Sequence, residues 1–300
     1  MLHENKELFE QAVLRASEAF GIEAGIVEKD YFVTLFLKEI SKEAIPTVFK
    51  GGTSLSKCHK LIKRFSEDID LNIKCEVKPT QGQRKGLKSE ICDIIERLGL
   101  TLTNPEDIKS NREYNKYVVD FPSVFTSGAL KPHLLIETVV YIRSYPTLTM
   151  EASSLIYDYF NQNGLDALIA EYDLAPFELN VQTAERTFVD KVYAIGDYYL
   201  DGRIREHSRH IYDLYKLLGV VKLDDGLKGL IASVREDRKA HKTCLSVQDG
   251  VNMQEILDKI ISENTYKDDY EDVTETLLFE PLGYEEAISA IVKIRDSGLF

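Results

Sequence analysis

Residues 50–73 read KGGTSLSKCHKLIKRFSEDIDLNI. The segment PTVFK (46–50) gives a short strand that runs straight into Gly51-Gly52, and TSLSKCHKLIKRF then predicts a helix with Leu55 and Leu61–Ile62 on its apolar side. DIDLNIK (68–74) alternates strictly, with Ile69, Leu71 and Ile73 on one face and Asp68, Asp70 and Asn72 on the other. Period two predicts a half-buried strand. A Gly-Gly pair between strand and helix removes two Cβ atoms, so backbone can approach a ligand closely. The N–H groups at the helix start, with the Thr53 and Ser54 hydroxyls, offer an anion site. Asp68 and Asp70, spaced i and i+2, put both carboxylates on one face, within reach of one or two hard cations. Alone, a Gly-Gly pair marks a turn and a D-x-D marks the wet face of a surface strand. In this order they make a phosphate cradle beside a carboxylate pair, which is what metal-assisted phosphoryl or nucleotidyl transfer requires.

Outward from this stretch the chain changes class once. Apolar residues at helical spacing predict helices from Leu8 to Phe20, stopped by Gly21, and from Ile26 to about Ile40. A helix over 83–98 and strands near YVVDFP (117–122) and HLLIETVVYI (133–142) follow. After about residue 150 helical periodicity dominates, apart from a strand candidate in FELNV (177–181). The fold expected is α/β (α+β): a small mixed β-sheet core with flanking helices over 1–150, then a mainly helical domain over 151–300.

Length and composition exclude several classes. A chain of 300 residues that is 44% hydrophobic and 29% charged can bury a sizeable core without metals or disulfides. It is therefore not a small disulfide scaffold, a fibre or a generally disordered protein. The opening MLHENKELFE has no apolar core of a secretory signal, and no run of about 18 apolar residues predicts a spanning helix. Cys58, Cys75, Cys92 and Cys244 are scattered, as reduced thiols of a cytoplasmic protein would be. The net charge of −13 argues against a general nucleic-acid binder. Two local basic runs qualify that, one from Lys50 to Arg64 without an acid and one in GQRKGLK (82–88). Each is a solvated helix face or a local site for phosphates.

The string GGTSLSK…RFSEDIDL resembles the signature of nucleotidyltransferases related to DNA polymerase β, and more closely that of the AbiEii/AbiGii-type toxins of abortive-infection and toxin–antitoxin systems. IVEKDYFVTLFLKEI (26–40), AERTFVDKVYAI (184–195) and RHIYDLYKL (209–217) are similar to further blocks of that family, so the likeness extends from about 26 to 217. The resemblance implies that Gly51, Gly52 and Thr53 or Ser54 hold the nucleotide phosphates. It implies that Asp68 and Asp70 are metal ligands, that Lys191 contacts the triphosphate, and that Asp213 is a catalytic position orienting Lys191 or a metal-bound water. Without it, Lys191 and Asp213 read as ordinary amphipathic-helix charges.

A third carboxylate usually completes such a site. Glu137 in LLIETVV is the candidate, because a charge in an apolar strand needs a partner or an ion; a nearby Lys would serve equally. Arg209 and His210 either contact nucleotide or RNA or are solvated helix positions. Tyr198 and Tyr199 either stack on a base or pack in a helical domain, and His59 is expected on a helix face. The resemblance further implies Mg²⁺, an NTP donor, a tRNA or other RNA acceptor, a cognate antitoxin partner and no membrane. The two basic runs would form the acceptor path, so exchanging Lys60, Lys63 and Arg64 for Glu should cripple RNA modification and spare NTP binding. Rival readings are a nucleotidyltransferase for a small-molecule or protein acceptor, and a nucleotide-binding module acting without catalysis.

Overall fold

The computed structural model describes residues 1–66, 68–125 and 133–300; Glu67, inside RFSEDIDL, lies outside them. They form two compact units, Met1–Cys58 with Ser66–Val181, and His59–Phe65 with Gln182–Phe300.

The first unit opens with α1 (Lys6–Phe20) and α2 (Ala24–Ile40). Asn5 caps α1 by accepting from the Leu8 N–H, and Gly21 ends it in the left-handed region at φ 65°. Then come β1 (Thr47–Lys50), α3 (Gly51–Lys57), β2 (Asp68–Ile73), α4 (Gln81–Arg97), β3 (Thr101–Leu102), β4 (Tyr114–Asp120) and β5 (His133–Val139). The unit closes with β6 (Thr147–Ala152), α5 (Leu155–Gln162), α6 (Asp166–Glu171) and β7 (Phe177–Gln182). The strands make one mixed seven-stranded sheet in the order β3-β4-β5-β2-β1-β7-β6. β1 pairs antiparallel with β2 and parallel with β7, while β2 pairs parallel with β5. Ile69, Leu71, Ile73, Leu134 and Ile136 put the inner faces of β2 and β5 into a core shared with Phe32, Phe36, Ile91 and Ile94 of α2 and α4. The alternation read from DIDLNI is the burial alternation of β2 as far as Leu71; Asn72, expected on the open face, is buried with its Nδ2 donating to Ser144 Oγ at 2.8 Å.

Two expectations need correction. The boundary falls at Val181/Gln182 and not near 150, because TLTMEA and FELNVQ form β6 and β7 and return to the first unit's sheet. The helix expected over 53–65 stops at Lys57, and Lys60 adopts φ 56°. The seven residues after Cys58 form a strap that belongs to the second unit.

That unit contains α7 (Ala184–Leu200), α8 (Arg209–Leu217), α9 (Asp225–Lys239), α10 (Met253–Ser262), the short α11 (Lys267–Asp269), α12 (Tyr284–Ala287) and α13 (Ser289–Ser297). Phe188, Val192 and Ile195 of α7, Ile211, Leu214 and Leu217 of α8, Val234, Leu257, Ile260 and Ile294 are all buried, spaced as one face of each helix. The strap joins this unit by backbone pairing: the Phe65 N–H donates to the Leu277 carbonyl at 2.9 Å, and the Phe279 N–H to the Lys63 carbonyl at 2.9 Å. No described helix is long and apolar enough to cross a membrane.

Candidate active site

In the first unit, strand register assembles the site. Lys50 on β1 stands opposite Asp70 on β2, Asp70 opposite Glu137 on β5, and Glu137 opposite Lys116 on β4. A row of cation, anion, anion, cation therefore crosses four adjacent strands, with Asp68 two residues along β2 on the same face. Glu137 Oε1 lies 3.2 Å from Lys116 Nζ, so the acid in LLIETVV has the lysine partner foreseen for it and also stands beside Asp70. Burial pushes the Tyr114 hydroxyl pKa up, and the carboxylates of Glu137, Asp70 and Asp68 push it further. Three carboxylates thus act on one phenol, which places them as neighbours.

The glycine loop presses on this row. Gly51 sits at φ +77°, and a Cβ built there would meet Asp70 Oδ2 at 2.0 Å. Only glycine allows both the backbone and the carboxylate their positions. The hydroxyls that follow are committed inward: Ser54 Oγ donates to the Gly51 carbonyl at 2.9 Å and Thr53 Oγ1 to Ser66 Oγ at 3.0 Å. Both side chains are buried, so their hydroxyls shape the loop from within.

Among the described residues, no group of three or more His, Cys, Asp and Glu is gathered as a metal cage. Magnesium needs no such cage. It binds through one or two carboxylates and completes its octahedron with water and substrate phosphates. Asp68 and Asp70 supply hard oxygen donors in that number, with the Gly51 loop against one of them. The donor set fits the ion.

In the second unit, three buried side chains and the half-buried His210 interlock. Arg64 of the strap donates through Nε to Asp213 Oδ1 and through Nη2 to Asp213 Oδ2, both at 2.7 Å, and the pair is 1% and 0% exposed. Lys191 Nζ lies 2.7 Å from Asp213 Oδ2 and 3.2 Å from His210 Nδ1. Burial opposes the charge of Asp213, yet the Arg64 and Lys191 cations overcome it and hold the carboxyl well below the usual aspartate range. Burial lowers the Lys191 ammonium pKa; Asp213 works against that, and the neighbouring Arg64 and Arg209 cations add to it. Lys191 and Asp213 are thus an ion pair. Arg64 and His210 complete it, and neither role was visible in helical spacing.

The sequence profile of the family described as the nucleotidyl transferase AbiEii toxin of type IV toxin–antitoxin systems matches residues 35–290. This chain belongs to the AbiEii family. AbiEii proteins are nucleotidyltransferases, so the chain is an enzyme, and the module that binds without catalysis falls away. No curated protein matches it. Among solved structures it is similar to MenT4, a nucleotidyltransferase toxin from Mycobacterium tuberculosis H37Rv, with 18% identity, 96% of this chain and 97% of that chain covered, and a TM-score of 0.50. That likeness is one of fold.

The remaining expectations for the AbiEii chain divide. The basic run from Lys50 to Arg64 is no continuous surface: Arg64 is buried on Asp213, and Lys63 pairs with Glu280. Lys57 is buried, its Nζ donating to Asp30 Oδ1 at 2.6 Å, Thr34 Oγ1 at 2.7 Å and the Ser153 carbonyl at 3.0 Å. The triple exchange of Lys60, Lys63 and Arg64 would therefore break a buried ion pair along with any acceptor path. Lys57→Met is expected to destabilise the AbiEii protein by about 2 kcal/mol, since it strands buried acceptors. Chemical denaturation checks this; an unchanged midpoint would make Lys57 a surface cation. Tyr198 stacks on His207 with centroids 3.5 Å apart, and His210, half-buried, lies against Lys191. His59 lies in the strap, its Nε2 2.9 Å from the Gln182 carbonyl, and not on a helix. Tyr199 donates its hydroxyl to Glu263.

Proposed function

We propose that this AbiEii-family enzyme moves a nucleoside monophosphate from an NTP to an acceptor, releasing pyrophosphate, with Mg²⁺ as cofactor and the end of a tRNA or another RNA as acceptor. It acts in the cytoplasm as a growth-blocking toxin held in check by a cognate antitoxin. The observation that carries the reading is the Lys50–Asp70–Glu137–Lys116 row pressed against Gly51. Magnesium held by Asp68 and Asp70, with Glu137 alongside, would neutralise charge on the α-phosphate and the leaving pyrophosphate. The Gly51-Gly52 backbone, shaped by Thr53 and Ser54, holds phosphate oxygens through N–H groups. A hydroxyl oxygen of the acceptor bonds to the α-phosphorus as the bond to pyrophosphate breaks, and the carboxylates of the row are the bases available for its proton. Lys191 supports the triphosphate, and Asp213 keeps its ammonium placed.

A second reading, a small-molecule or protein acceptor, is favoured by the burial of Lys57 and Arg64, which removes two cations from an RNA path. One experiment separates the two. The protein is incubated with Mg²⁺, each α-³²P-labelled NTP in turn and total cellular RNA, beside Asp68→Asn and Asp70→Asn. Label on RNA that falls by about 10²–10³-fold in either variant supports the RNA reading. Label on protein, or none on macromolecules while NTP is consumed, supports the second. Equal labelling by both variants would remove the carboxylate row from the mechanism.

A further inference from the structure

Lys191 has three N–H donors and, when charged, no acceptor. Two of the donors point at Asp213 Oδ2 and His210 Nδ1. While Lys191 carries its charge the ring nitrogen at 3.2 Å can only accept, which requires a neutral imidazole with its proton on Nε2. The surroundings favour that form. Burial pushes the His210 pKa well below the ordinary histidine value, and the Lys191 and Arg209 cations push it the same way. The ring is held flat: Tyr198 and His207 lie nearly parallel to it, at 11° and 10°, with centroids 5.7 and 6.1 Å away. Arg64, Asp213, Arg209 and His210 face Lys191, while on the other flank of α7 the Arg238 guanidinium is taken by Asp197 and Asp190.

We propose that His210 is a positioning residue: its neutral Nδ1 accepts from Lys191 and, with Asp213 on the other side, fixes the direction of the ammonium. Asp213 alone would let the ammonium swing about one contact; a second acceptor leaves a single orientation for the remaining N–H. This rests on the proposed role of Lys191 toward the triphosphate and names the group that aims it.

The first test needs no acceptor substrate. Ring ¹³C and ¹⁵N resonances of the full chain, with His210 assigned by their loss in His210→Asn, report tautomer and protonation. The expected result is the Nε2–H tautomer in the wild type, neutral down to well below pH 6.5, with a titration midpoint that rises in Lys191→Met. An Nδ1–H tautomer, or a midpoint unmoved by Lys191→Met, would overturn the hydrogen bond. The second test is a double-mutant cycle on transfer of α-³²P label to total cellular RNA. His210→Leu is expected to lower kcat about 10- to 100-fold, as a misplacement near 1 Å would, with KM for NTP changed far less. His210→Asn, which returns an acceptor near the Nδ1 position, should recover most of it. In a Lys191→Ala background His210→Leu should do nothing further. An equal further loss there would show that His210 acts independently of Lys191. Wild-type activity of Lys191→Ala would remove Lys191 from catalysis while leaving the resonance result intact.

Discussion

Gly51→Ala is expected to reduce nucleotidyl transfer by at least about 100-fold, with the fold largely retained. The added Cβ would fall 2.0 Å from Asp70 Oδ2 and 2.9 Å from Asp70 Cγ. Carbon cannot occupy that distance, so either the loop backs away from β2 or the carboxylate rotates off its row. The residue must also hold φ +77°, which costs an L-amino acid about 1–2 kcal/mol. Both relaxations separate the carboxylate from the loop, and that contact is what the proposed chemistry uses. Gly52, which lacks positive φ, is the control: Gly52→Ala should be milder. The check is label transfer beside thermal melting. Gly51→Ala with near wild-type transfer would mean that loop and carboxylate do not act on the same ligand.

Asp213→Leu is expected to be the most destabilising single change in the second unit, about 5 kcal/mol, with Arg64→Met following at about 3 kcal/mol. The difference comes from what is left behind. Removing Asp213 strands two buried cations, whereas removing Arg64 leaves Asp213 its contact with Lys191. A loss of activity at Asp213 therefore includes a loss of structure, and hydrogen exchange across α7, α8 and residues 59–65 should separate the two. Acid sensitivity carries a definite sign. The folded Asp213 pKa lies below its unfolded value, so its stabilisation is complete above roughly pH 3.9 and drains as pH falls from there toward the folded pKa. Arg64→Met lifts that folded pKa and should move acid unfolding of α7 and α8 to higher pH. Wild-type exchange rates and an unmoved acid transition in both variants would demote the cluster to a surface pair.

The strand–Gly-Gly–helix–strand frame and the Asp68 and Asp70 face were legible because they rest on local rules, period two and missing Cβ atoms. The end of α3 was not. Leu55, Leu61 and Ile62 keep helical spacing, but Ile62 and Arg64 find partners in a unit that begins again at Gln182, and that contact overrides the local period. Lys50 and Lys116 were missed for a related reason: their row exists only once the strand order β4-β5-β2-β1 is known. Glu137 did carry a hint, since a charge in an apolar strand asks for a partner, and YNKYVVD offers Lys116 on its polar face. Lys191 and Asp213 came from resemblance alone. On single helices they are unremarkable, and what distinguishes them is a burial that spacing does not report.

The strap also sets a timetable. Phe65 pairs with Leu277 and Lys63 with Phe279, partners more than two hundred residues further along the chain. At about 5–20 residues per second, a ribosome needs on the order of 10–40 s to travel from one to the other. For that interval the link between the glycine loop and the carboxylate strand lacks the two backbone pairings that close it, and once residue 213 is made it has only contacts such as Arg64–Asp213 to hold it. A chain that stops short of residue 277 carries every residue of the carboxylate row and still lacks the anchor of the segment that joins its two halves. Synthesis of such a toxin is thereby accompanied by a built-in delay, during which the producing cell meets an unfinished enzyme.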